Sequence, residues 1–184
     1  MDRYNFHMLK RLFLCCCILL SLSAHAETSY EAVGGAITYH IVDGGVSSNY
    51  TQKITPDGRG IFNPRYGIRY MEQDSKEYWT VTAFGGSNSV GYPMYGGLWS
   101  LGNVVYPWMY AGVVVGAYTQ ADGPFRDLGI QPFTISKIGD TDIVPVIGGE
   151  VNFKCMISKR LFIKQNNLLT PVLYNATLSL GLQF

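Results

Sequence analysis

Little in this chain can ligate a metal or carry a redox couple. Its 184 residues include four cysteines and three histidines, and most of them sit together near the start. Cys15, Cys16, Cys17, His7 and His25 all precede residue 27, so Cys155 and His40 are the only later ones. No intrachain disulfide and no cluster of His or Cys ligands can form from that remainder, and no metal or cofactor is expected. Charge is also scarce, at 15% of residues with a net of +1, which argues against a nucleic-acid partner. The 44 residues from Tyr78 to Ala121 carry no charge at all. Long apolar runs are missing too. After residue 26 no stretch of 18 apolar residues exists, so no transmembrane helix is available.

The first 26 residues read as a cleavable secretory signal peptide. A basic start ending at Lys10-Arg11 precedes the apolar segment Leu12–Leu22, and Ala24-His25-Ala26 has the small-x-small form of a cleavage site. The expected mature domain is 27–184, with a charge near −1.

In that domain the hydrophobic pattern has a period of two. Ala176, Leu178, Leu180, Leu182 and Phe184 alternate with Asn175, Thr177, Ser179, Gly181 and Gln183 over the length of a tilted membrane strand. Similar alternation runs through Val33–Ile41, Phe62–Tyr70, Trp79–Ala83, Tyr95–Leu101 and Met109–Ala117. A shorter segment at Phe133–Lys137 and a longer one at Ile143–Ile157 complete a count of eight. Glycines and prolines recur through the charge-free stretch, which no helix tolerates but a closed barrel in lipid accommodates. The fold expected is all-β: an eight-stranded antiparallel transmembrane β-barrel in an up-and-down meander. A soluble β-sandwich is the competitor, and the uncharged stretch and aromatic outward parity argue against it. Turns are expected at Gln73–Lys76, Gly102–Val104 and Gly139–Asp142, with longer outer loops that include Ser158–Pro171. Both termini are then periplasmic.

The ending ATLSLGLQF resembles the C-terminal assembly signal of Gram-negative outer-membrane barrels, which implies an outer-membrane location and the barrel-assembly machinery as a transient partner. Gly34-Gly35-Ala36-Ile37-Thr38-Tyr39-His40 and Phe84-Gly85-Gly86-Ser87 are similar to a group of small phage-associated and bacterial barrels. That group in turn resembles the lipid A palmitoyltransferases. The resemblance implies a catalytic role for His40 and Ser87 in moving acyl chains on outer-membrane lipid. Gly86 stands where that family has an aspartate.

Other candidates come from the residues themselves. His40 has lumen parity near the outer rim, where an imidazole can act as a general base, with Asp43 nearby to orient it. Arg65, Arg69 and Glu150 share lumen parity and are expected to pair as a plug, because an eight-stranded barrel is filled by its side chains. Lys154, Lys159, Arg160 and Lys164, with no acidic residue after 151, are candidates for binding lipopolysaccharide phosphates on the last outer loop. Pro132 and Pro145 are placed to open a gap between neighbouring strands. Two function classes follow: a monomeric lipid acyltransferase, or a non-catalytic barrel acting through its outer loops in surface exclusion, adhesion or membrane integrity.

Overall fold

The structure is a computed structural model, described here for residues 27–40, 52–53, 60–88, 93–121 and 135–184. The signal segment 1–26, Asp43 and Pro132 lie outside the described residues. The strands are β1 (Glu27–His40), β2 (Gln52–Lys53), β3 (Gly60–Gln73), β4 (Glu77–Ser87), β5 (Pro93–Tyr106), β6 (Met109–Ala121), β7 (Ser136–Ile138), β8 (Thr141–Met156), β9 (Leu161–Leu169) and β10 (Leu173–Gln183). Eight of them are long. They pair antiparallel in the order β1-β10-β9-β8-β6-β5-β4-β3, and β3 pairs back with β1 to close an eight-stranded meander barrel. The two-residue β2 lies on β3 and the three-residue β7 on β8.

Closure follows from the period-two pattern. Inward positions such as Thr80, Thr82, Ser100, Tyr110 and Val114 are buried, whereas their neighbours Val81, Trp99, Leu101, Val113 and Val115 are exposed. The outer surface is thus apolar and the lumen largely polar, the reverse of a soluble protein and the pattern of a barrel surrounded by lipid. Aromatic rings form a belt near one end. Tyr30 meets Tyr70 at 5.4 Å and Phe184 at 6.1 Å, Tyr70 meets Trp79 at 5.2 Å, and Tyr106 stacks on Trp108 at 5.3 Å. Such girdles mark a membrane–water boundary.

Both ends of the described barrel chain, Glu27 and Phe184, lie at this aromatic end with three tight turns. In the first, Asp74 Oδ1 accepts the amides of Lys76 and Glu77 at 2.6 and 2.7 Å. The Glu77 amide, and then that of Lys76, hold the Asp74 carboxyl below the ordinary carboxylate range. The others are Pro107-Trp108 and Ile157–Arg160. His40, Gly60, Ser87, Pro93 and Ala121 end their strands at the opposite end, called here the loop end, where the turn 170–172 also lies.

The structure departs from the sequence reading at several points. Leu161–Leu169 is a full strand, not part of an outer loop. Its Lys-Gln-Asn-Asn core looks solvated, but Lys164 and Asn166 face a polar lumen that supplies partners. Of the segment near Phe133–Lys137, the described residues include the three-residue β7, and Phe133 lies outside them. Because β9 is a strand, Ser158–Arg160 turns at the aromatic end. The expected turn at Gly102–Val104 falls inside β5 and gives way to Pro107-Trp108, and the turn at 139–140 belongs to the loop end. Finally, a bulge between Gly34 and Ala36, with Gly35 at φ 64, reverses the facing within β1. Val33 therefore points inward and Gly34 outward.

Candidate functional site

The lumen is divided. Its aromatic-end half is filled by a hydrogen-bonded charge network. Lys164 Nζ lies 2.8 Å from Glu31 Oε1, with both side chains fully buried. The Ser179 hydroxyl donates to Glu31 Oε2 at 2.7 Å, and Asn166 donates to Ser179 at 3.0 Å. Arg69 donates from Nε to Thr82 at 2.9 Å and from Nη1 to Asn166, while the Tyr78 hydroxyl donates to Glu150 at 2.7 Å. Met71, Tyr78 and Tyr110 pack among these groups. Charges taken from water need this degree of pairing, and these side chains occupy this half of the lumen. Arg69 and Glu150 thus sit in the network as the sequence implied, although with partners it did not name. Arg65 does not join it.

The loop-end half holds a cavity of about 360 Å³. Val33, Leu98, Val114 and Tyr118 line it from inside, with Arg65 and Phe84 towards the loop end. The cavity does not stop at the wall. Inward Val144 and Val146 line it, as do their outward neighbours Pro145 and Ile147 on the same strand, and Pro171, Val172 and Leu173 face them.

Strand register explains the breach. The Lys154 amide donates to Trp108 O at 2.8 Å, so even-numbered residues of β8 direct their backbone groups at β6 and odd-numbered ones at the other side. Ile143, which accepts from the Ile135 amide at 2.9 Å, follows that rule. On this other side β7 covers Thr141–Ile143 and β9 covers Gly149–Met156. Residues 144–148 have no partner there among the described strands, an open edge of about 16 Å at ~3.3 Å per residue. Pro145 sits within it and has no N–H to leave unpaired, so Ile147 is the one residue of the opening whose amide points to this side. Of the two prolines the sequence singled out, Pro145 lies in this window and Pro132 lies outside the described residues. The short reach of β9, which makes the window, was not legible in the sequence.

The candidate catalytic pair is placed as follows. His40 ends β1, in register with Leu173, and Ser87 ends β4, so both reach the loop end with β3 between them. Along β3, Tyr39 is level with Gly60 and Gly86 with Arg65, an offset of five residues between the two registers. No register shift occurs through Gly85-Gly86, so Ser87 stays on the outward parity of Val81 and Ala83, opposite exposed Pro93, and does not line the cavity. Gly86 has φ 137, and a Cβ there would lie 2.3 Å from Pro64 O. No aspartate fits that position.

Nor do the four basic residues share one surface. Lys164 is the buried partner of Glu31, and Lys154 turns inward to Gln183 with its Nζ 4.7 Å from the Phe162 ring centroid. Lys159 and Arg160 are exposed on the aromatic-end turn, on the same end as both termini. Among the described residues no group of His, Cys, Asp and Glu is placed to hold a metal ion.

Fold, lipid-facing surface and plugged lumen define the class: a small eight-stranded β-barrel of the outer-membrane kind. No protein-family model and no curated protein matches the sequence. Among solved structures, the chain is similar to Ail, the attachment invasion locus protein of Yersinia pestis, in complex with the heparin analogue sucrose octasulfate. That match has a TM-score of 0.49 and 10% identity and covers 86% of this chain and 99% of Ail. A second match, to the N-terminal β-barrel domain of Pseudomonas aeruginosa OprF, has a TM-score of 0.42 and 14% identity over 86% of this chain and 97% of that one.

Proposed function

We propose that this protein is a non-catalytic outer-membrane barrel, oriented with its loop end outward, that takes an apolar chain from the surrounding lipid into the loop-end lumen. The open edge at 144–148 carries this reading, because it connects the cavity with the outward-facing surface around Ile147. The volume lies at the lower end of the range for small-molecule sites, sufficient for one chain and not for a whole lipid. Binding is favoured over acyl transfer because Gly86 admits no carboxylate and Ser87 lies on the outer parity.

The test is native mass spectrometry of the protein in phosphatidylcholine nanodiscs with dodecanol as probe. One dodecanol per barrel is expected. Val114→Trp and Leu98→Trp, which fill the cavity, should weaken binding at least tenfold, whereas Val113→Trp on the outer face should not. Equal binding by the cavity-filled and outer-face variants would overturn the reading.

A further inference from the structure

We propose that Arg65 is the headgroup anchor of this cavity, and that the ligand is a single-chain amphiphile with a compact anionic head: a fatty carboxylate or an alkyl phosphate. The inference rests on the chain-binding reading and names the class of chain. Among the cations of the described lumen, Arg69 and Lys164 have hydrogen-bond or ion-pair partners within the network, and Lys154 is held by Gln183. Arg65 has none of these. Its Nε is shut off from solvent without a hydrogen-bond partner, and its guanidinium carbon lies 6.0 Å from the Phe84 ring centroid.

Register relates a second inward-facing group to it. Arg65 is opposite Gly86, Gly86 opposite Met94, and Met94 opposite Gln120, so Arg65 and Gln120 both face inward, three strands apart. Gln120 is 1% exposed, and neither its Oε1 nor its Nε2 has a partner. Asp142 pairs with Gln120 in the strand register, but among the described residues Arg65 makes no ion pair. A half-buried cation that lines a largely apolar cavity, its Nε without a hydrogen-bond partner, has the chemistry to receive an anionic oxygen head. A guanidinium binds such a head with two parallel N–H donors, and the chain would then run down past Leu98 and Val114.

The experiment compares dodecanoate, dodecyl phosphate and dodecanol on the full mature barrel in phosphatidylcholine nanodiscs, again by native mass spectrometry. At least one anion should bind the wild type about tenfold or more tightly than the alcohol. Arg65→Leu should remove that advantage and leave dodecanol within twofold of the wild type, while Arg65→Lys keeps most of it. Which anion responds identifies the head. If Arg65→Leu does not reach the folded, heat-modifiable form, Arg65→Gln is read in the same way. A wild type that binds alcohol and anions alike overturns the role of Arg65 and leaves chain binding standing. A wild type that binds none of the three overturns both.

Discussion

Lys164 and Glu31, 133 positions apart in sequence, form a fully buried ion pair across the lumen, with the Ser179 hydroxyl on the second carboxylate oxygen. Removing one partner leaves an uncompensated buried charge. Glu31→Gln or Lys164→Met should each destabilise the barrel by ~3–5 kcal/mol, and the double variant Glu31→Leu with Lys164→Met should recover much of the loss. Urea unfolding in lipid vesicles checks this. Additive losses would mean that the two groups do not depend on each other.

The same network predicts electrical silence. With Arg69, Glu150 and the Met71–Tyr110 cluster filling one half of the lumen, planar bilayers containing the wild-type protein should show no stepwise ion conductance. Regular conductance steps would show that the plug opens.

Two glycines with positive φ should respond differently to alanine. At Gly35 an added Cβ meets nothing nearer than the Phe62 ring at 3.5 Å, so Gly35→Ala should cost only the backbone penalty of about 1–2 kcal/mol. At Gly86 the Cβ meets Pro64 O and Arg65 Cα at 2.3 and 2.8 Å, so Gly86→Ala and Gly86→Asp should both sharply reduce the yield of folded barrel. Equal yields for Gly35→Ala and Gly86→Ala would contradict this placement.

Mass spectrometry of lipid A and phospholipids should show the same acylation in cells with and without the protein, and Ser87→Ala should change neither lipid acylation nor dodecanol binding. A new acylated lipid species lost in His40→Ala would instead restore the transferase reading.

Deleting Phe184 should impair assembly. Its amide donates to Thr28 O at 2.8 Å and its ring packs edge-on to Tyr30, closing β10 against β1 at the aromatic end. The heat-modifiable fraction after refolding measures the effect, and wild-type levels would count against it.

Much of the wall was legible because a barrel strand in lipid writes its facing into every second residue. Trp79, Val81 and Ala83, then Trp99 and Leu101, then Val113 and Val115, all point outward as their parity implies. Where one glycine shifts the phase, as at Gly35, alternation alone misplaces Val33. Where polar residues face a polar lumen, as at Lys164 and Asn166, a strand is mistaken for a loop. That single misreading moved Lys159 and Arg160 to the wrong end and grouped them with two lysines that the barrel turns inward.

Composition and period-two alternation by themselves determined that the chain is β and that its outer face is apolar, since each is a property of neighbouring residues, whereas the count of eight held because β9 took the place of the segment at Phe133–Lys137. Only the tertiary structure decided which charges neutralise one another, how far β9 climbs beside β8, and that the Arg65 Nε has no hydrogen-bond partner among the described residues beside an open cavity. Those depend on strand register around a closed ring, where Glu31 meets Lys164 and residues 144–148 meet no described strand on one side. No local pattern encodes a contact between groups more than a hundred residues apart.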